Sequence, residues 1–434
     1  MNMKRIALHR GVVTGLCAAV SSVVPIAAHA QSSVTLYGAI DNGFTYSSNQ
    51  KGNHNFYMSQ GSLNASKFGF LGSEDLGGGL KTIFRLEAGF NSQTGAASSS
   101  GYEFNRQAYV GLSDQQYGTF TVGRQYTPYF NFVGALGPTG YLTGATGAHP
   151  GDLDALDTTL RFNNSLTYTS PSIRGLQGSV QYGLGGVAGS FSQGNTLSAA
   201  LRYETGPFKA AVGFNRLNNL STSNAVGTVA DNSPVNVAYA SAETNQMVAA
   251  AAQYKFGNAM VGLNYSNVVY RPGSGSAFQQ TAVFNTYGAI TTYQLTPTIY
   301  LAAGYSYTRA SESNGISDSA RYNQFSFEQT YSLSARTCVY FLEAYQHASG
   351  KALASNGISD SARYNQISFE QTYSLSARTC VYFLEAYQHA SGKALASNGT
   401  SIVNAVAVVG DSQNATPSSG PSQFVGTIGL RHFF

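Results

Sequence analysis

Residues 313–354 are followed at once by a second copy of themselves, 355–396, and the 42 positions differ only where Phe325 becomes Ile367. A fold that holds this pair must accept an extra unit without changing the direction or the facing of everything after it. Each unit reads as a strand over 321–332, a short turn at 333–336, a strand over 337–347 and a long polar connection. Inserting one unit adds two strands and returns the chain to its original direction. A solenoid needs at least three stacked repeats to bury its faces, and this unit occurs twice. The duplication therefore reads as an extra hairpin.

The rest of the chain follows the same grammar. In "KFGFLGSEDLGGGLKTIFRLEAGF", residues 67–90, Leu80, Thr82, Phe84, Leu86 and Ala88 fall on one face of a strand, and Lys81, Ile83, Arg85 and Glu87 on the other. A sandwich would also show this period. What separates the two folds is the spacing of the connections. Short ones recur near 113–118, 170–175, 205–207, 256–258, 295–297 and 333–336, and between them lie long Gly/Ser/Asn-rich stretches such as 91–102, 217–243 and 271–280. Short turns at one end and long loops at the other are the pattern of outer-membrane barrels. A sheet exposed to lipid can have no open edge, so it must close, and bacterial single-chain barrels close on an even strand number. The expected fold is all-β, a transmembrane antiparallel β-barrel of 16–18 strands running from 34–46 to 423–434. It has 18 strands if the duplicated hairpin is in the wall and 16 if that hairpin sits outside it.

Composition agrees with this. Charged residues make up 10% of the chain, against about 25% in ordinary soluble domains. Tyr and Phe are abundant and Trp is absent, so Tyr and Phe must supply the interfacial girdles. Residues 1–30 read as a signal peptide: Lys4, Arg5 and Arg10, an apolar run over 11–24, and Ala28-His29-Ala30 before the expected cut. The barrel domain is then 31–434. It contains no apolar run of ~18 residues, so no transmembrane helix is expected. The formal net charge of +4 falls by three once the leader's cations are removed, which leaves no electrostatic case for nucleic acid.

Cys338 and Cys380 are the same position in the two copies. With both hairpins in the wall, strand 363–374 would separate them by about 9.6 Å, beyond the ~7 Å reach of a disulfide. His54, His149, His347, His389 and His432 have no metal-ligand spacing and are expected at surfaces or interfaces, and no cofactor is expected. No nucleophile–base pair stands out, so the chain does not read as an enzyme.

Five stretches in order, "SSVTLYGAIDNG", "GSEDLGGGLK", "FNRQAYVGL", "TFTVGRQYTP" and the terminal "QFVGTIGLRHFF", carry a resemblance to the trimeric general porins of Gram-negative bacteria, of the Neisseria and Burkholderia type. The resemblance covers nearly the whole mature chain, although the family norm is 16 strands. It implies a homotrimer in the outer membrane that passes ions and small hydrophilic solutes by diffusion, in contact with outer-membrane lipid, lipopolysaccharide and the assembly machinery. It implies that Phe434 is the assembly signal. It also implies that residues 126–160 fold inward as a constriction loop carrying Asp152, Asp154 and Asp157.

Opposing wall cations are expected among Lys67, Lys81, Arg85, Arg106, Arg124 and Arg161, because a cation on the lipid face at mid-membrane costs ~2–4 kcal/mol. Parity supports Lys81 and Arg85 facing inward, whereas Arg106 shares a face with Ala108 and Val110. The family commonly has a basic residue where this chain has Leu71, so only a mild anion preference is expected. The rival readings are a substrate-specific channel, a non-conducting barrel adhesin and an outer-membrane enzyme.

Overall fold

The computed structural model describes residues 32–142, 146–157, 160–218, 239–313, 318–351, 361–395, 402–409 and 417–434. The expected signal peptide lies outside these described residues. The chain opens with β1 (Ser33–Gln50), β2 (Asn53–Gln60), β3 (Lys67–Gly77), β4 (Leu80–Gly89), β5 (Gln107–Asp114) and β6 (Gly118–Tyr126). After a long excursion come β7 (Arg161–Thr169), β8 (Leu176–Gly183), β9 (Thr196–Thr205), β10 (Phe208–Asn218), β11 (Thr244–Phe256) and β12 (Ala259–Arg271). The wall continues through β13 (Ala282–Thr296) and β14 (Ile299–Ala310) into the two copies, β15 (Arg321–Ser332) with β16 (Thr337–Ser349) and β17 (Arg363–Ser374) with β18 (Thr379–Ser391). A small separate ribbon, β19 (Lys393–Leu395) with β20 (Ile402–Asn404), precedes the closing strand β21 (Ser422–Phe433).

Neighbours pair antiparallel, and β21 returns to β1, with Ala39 opposite Phe433 and Ser47 opposite Val425. The other edge of β1 is shared. Its first half pairs with β3 and its second half with β2, so these two short strands fill one wall position. The wall is therefore a closed antiparallel barrel of 18 strands.

The duplicated hairpin is in that wall. β16 pairs with β17, and β18 pairs with β21. Cys338 lies opposite Thr372 and Cys380 opposite Ser374, on the two sides of β17, and both thiols are free.

The facing of side chains inverts that of a soluble protein. In β1 the exposed residues Leu36, Ile40 and Phe44 alternate with buried Asp41, Thr45 and Ser47. In β12 exposed Val261 and Leu263 alternate with buried Asn264 and Ser266. Apolar residues look out and polar residues look in, as a barrel wall in lipid requires. Among the described residues no helix is long and apolar enough to cross a membrane.

Candidate functional site: the inner wall

The inner face of the first strands gathers cations around one carboxylate. In β4 Arg85 and Glu87 point inward with Tyr37 of β1. The Tyr37 hydroxyl donates to Glu87 Oε2 at 2.6 Å, and Arg85 reaches Tyr37 through Nε at 2.7 Å and Glu87 through Nη2 at 3.1 Å. Arg106 Nε donates to the other Glu87 oxygen at 2.6 Å, and its Nη2 donates to the Tyr126 hydroxyl at 3.0 Å. Arg161 donates to the same hydroxyl at 2.8 Å, with its guanidinium 4.6 Å from the centre of that ring. Lys67 lies within electrostatic reach of Arg85, Glu87, Arg106 and Arg161. Arg85 and Arg106 thus hold Glu87, itself only 3% exposed, and with Lys67 and Arg161 close by the group leaves a net positive field.

Arg106 joins this group because β5 begins at Gln107. One residue before the strand, the parity set by Ala108 and Val110 no longer binds, and the side chain turns to Glu87. The other two expected residues sit differently: Lys81 is apart, and Arg124 is within electrostatic reach of Arg161 but bonds elsewhere. Lys81 is exposed and lies opposite Asp75 and Ser113 near the short turn, four residues or about 13 Å along the strand from Arg85. Arg124 is buried, donates from Nε to the Asn105 carbonyl at 2.7 Å, also bonds Asn163, and stacks 4.7 Å from the Tyr102 ring centre. Leu71 lies opposite Arg85 on the inner face and is 41% exposed.

The described parts of the long excursion between β6 and β7, residues 127–142 and 146–157, pack on the opposite inner wall. The excursion opens as helix α1 (Pro128–Val133), with Thr127 as N-cap accepting from the Phe130 amide and proline in the first turn. The helix docks where β10 has Gly213; a Cβ there would stand 2.9 Å from Tyr129 and 3.1 Å from Val133. The Tyr129 amide donates to Ser198 Oγ of β9 at 3.2 Å. Gln253 of β11 donates to the Leu136 carbonyl at 2.9 Å and accepts from the Tyr141 hydroxyl at 2.7 Å. Leu142 packs with Met260, Ile290 and Ala302. Gln324 and Ser326 of β15 donate to the carbonyls of Ala148 at 3.1 Å and Thr146 at 3.3 Å. Every one of these wall residues alternates with outward residues such as Leu197, Val212, Leu263 and Phe325, which fixes the segment on the inner face.

The three expected acids of this segment differ. Asp152 and Asp157 are half-buried, and Asp152 Oδ1 accepts from the Asp157 amide at 3.0 Å. Asp154 is fully buried, with its Oδ2 2.6 Å from His149 Nδ1 and accepting from Ser266 Oγ of β12 at 2.5 Å. His149 is thus not a surface or interface histidine; it is 5% exposed because the segment folds over it. At the chain end, Phe434 exchanges backbone hydrogen bonds with Gly38 of β1 at 2.9 and 3.1 Å.

The model of the Gram-negative porin family matches residues 16–351, more than three quarters of the chain. The chain belongs to the Gram-negative porin family. The match ends just before the second copy, which fits a family pattern with one such hairpin there. Over 241 residues the chain is 34% identical to an outer membrane porin protein of Bordetella pertussis, covering 50% of this chain and 62% of that one. It is 31% identical over 201 residues to outer membrane porin protein 32 of Delftia acidovorans (43% and 55% covered), and 33% over 198 residues to major outer membrane protein P.IB of Neisseria meningitidis serogroup B (44% and 56%). The chain thus spans less than two thirds of the length of each of these relatives.

Among solved structures, the anion-selective porin from Comamonas acidovorans superposes with a TM-score of 0.57 at 20% identity, covering 93% of this chain and all of that one. The trimer form of OmpT from Vibrio cholerae superposes at 0.52 and 15% identity, covering 93% and 99%. Both are likenesses of fold. Family and barrel together place this porin in the outer membrane.

Proposed function

We propose that this porin is a general diffusion channel: a water-filled barrel that passes ions and small hydrophilic solutes, with residues 126–160 as its constriction and a mild preference for anions. The observation that carries this reading is the inner-wall group of Lys67, Arg85, Arg106 and Arg161, whose four positive charges are met by the carboxylate of Glu87. Charged rings at a narrow point sort ions by sign. Leu71, inward beside Arg85, adds no charge where the resemblance has a cation, so the preference is mild. Asp152 and Asp157 on the inward segment supply the opposing sign. In this reading the protein works as a homotrimer among outer-membrane lipid and lipopolysaccharide, Phe434 is read by the assembly machinery, and the barrel is a channel rather than an enzyme.

Planar-bilayer recording under a salt gradient tests the proposal. Conductance steps in threes with a reversal potential on the anion side are expected. Arg85→Glu should move that potential toward cations, and Lys81→Glu, near the turn, should move it less. An unchanged potential in Arg85→Glu removes the cluster from the constriction, and the absence of any steps from heat-modifiable protein overturns the channel itself.

A further inference from the structure

We propose that His149, Asp154 and Ser266 form a latch that holds residues 146–157 on the inner wall, and that raising the pH releases it. Its bearing on pore width rests on the constriction reading above; the latch itself does not. The His149–Asp154 pair sits at 2.6 Å with side chains 3% and 0% exposed. Ser266 ties the same carboxylate oxygen to β12. The hydroxyl points to the aspartate and not to the imidazole, so this is a tether and not a nucleophile with its base.

The site has little else to hold a charge. His149 Nε2, Asp154 Oδ1 and both amide atoms of Asn264 are buried and have no hydrogen-bond partner among the described residues. His149 and Asn264 line a small void together with Gly137, Pro138 and Gly147. Breaking a buried ion pair by neutralising one partner leaves the other charge uncompensated, which is strongly destabilising. The remaining groups facing the pair do not replace it. Asp152 and Asp157 share its sign with Asp154. The Tyr129 phenol of α1 is pushed well above its usual range by burial and then by Asp154 and Asp152, so it stays neutral. The wall presents uncharged Ser266 and Asn264 from β12 and Gln324 from β15.

The direction of the pH effect follows from both partners. Burial acts to lower the basicity of His149, but the charge and hydrogen bond of Asp154, and then Asp152, carry it above its ordinary value. Burial acts to raise Asp154, and the His149 charge with the His149 and Ser266 hydrogen bonds carries it below its ordinary value. The histidine's contribution is therefore complete below about pH 6.5 and is lost as the pH climbs through its raised value. The aspartate's contribution is lost only in acid, below the ordinary carboxylate range. Between these limits the latch is closed, and it opens on the alkaline side as His149 loses its proton.

Amide hydrogen exchange on the folded protein in detergent, at pH 6 and pH 9 and corrected for intrinsic exchange, reads the latch without needing a current. Protection across residues 146–157 should fall about tenfold on going to pH 9, as for loss of one charge-assisted hydrogen bond, with the wall strands unchanged. His149→Gln, which can still donate to Asp154 but carries no charge, should abolish the pH step. Ser266→Ala should lower protection at both pH values. Heat-modifiable migration confirms that each variant is folded. Equal wild-type protection at the two pH values, or a His149→Gln step as large as the wild type's, overturns the latch. Single-channel recording on the same samples separates the two proposals: normal current with flat protection sinks the latch alone, and a pH step in protection with no change in current sinks the constriction role alone.

Discussion

Tyr340 and Tyr382 occupy one position in two copies of one sequence, and they meet different surroundings. The Tyr382 hydroxyl donates to Asp41 Oδ1 of β1 at 2.7 Å. Its ring fills the space over Gly429 of β21, where a Cβ would stand 2.1 Å from it. Tyr340, half-buried, pairs with Cys338 two residues away. Gln324 and Ser326 of the first copy hold the inward segment. Their counterparts Gln366 and Ser368 bond each other at 3.4 Å, and Gln388 donates to Gln366 at 3.1 Å. The backbone pairing is a property of the repeat, whereas the work of each side chain is assigned by the strand next door.

The sharpest test of that difference is the tyrosine pair. Tyr382→Phe removes a hydrogen bond to a charged acceptor and should cost about 1.5–3 kcal/mol. Tyr340→Phe should stay within about 0.5 kcal/mol. Unfolding midpoints followed by the heat-modifiable gel shift compare them, and equal losses would break the contrast. Deleting 355–396 goes further by making the first copy take the second's place. β16 should then pair with β21, and Tyr340→Phe should acquire the full cost of the missing Asp41 bond. Barrel diameter scales with strand number, so if the wall limits flow the conductance should drop by roughly a fifth; if residues 126–160 limit it, the change should be small.

A smaller effect separates the glutamines. Gln324→Ala should lower exchange protection in the inward segment about threefold, as for loss of part of one neutral hydrogen bond, and Gln366→Ala should leave it unchanged. The smallest effect concerns the thiols. Cys380 is 5% exposed and Cys338 half-buried, so a maleimide should label Cys338 faster in the folded barrel and both equally after unfolding. Equal folded-state rates would mean the seam with β21 does not shield Cys380.

What the sequence disclosed and what it withheld divide along physical lines. Parity is a strand property, so it located the inward faces of β4 and the even hairpin unit of the copies. It failed for Arg106 because the strand begins one residue later. β2 went unseen because "NHNFYMSQ" is short and polar; it is a strand only because β1 extends past the end of β3 and needs a partner there. Glu87 was placed on the right face by its period, but its place between Arg85 and Arg106 needed the fold of β5 against β4. His149 left no signal at all. A loop has no period, and its burial is decided by the wall it lands on.

The same edge of the repeat's first strand pairs with β14 in one copy and with β16 in the other. The same edge of its second strand pairs with β17 in one and with β21 in the other. Neither edge is particular about its neighbour, and the closing join of β1 with β21 lies outside the repeated stretch. The girth of the barrel is then recorded nowhere in the strands themselves. It is a tally of gene segments, and recombination between the two near-identical stretches would widen or narrow the tube one hairpin at a time while every join stayed chemically familiar.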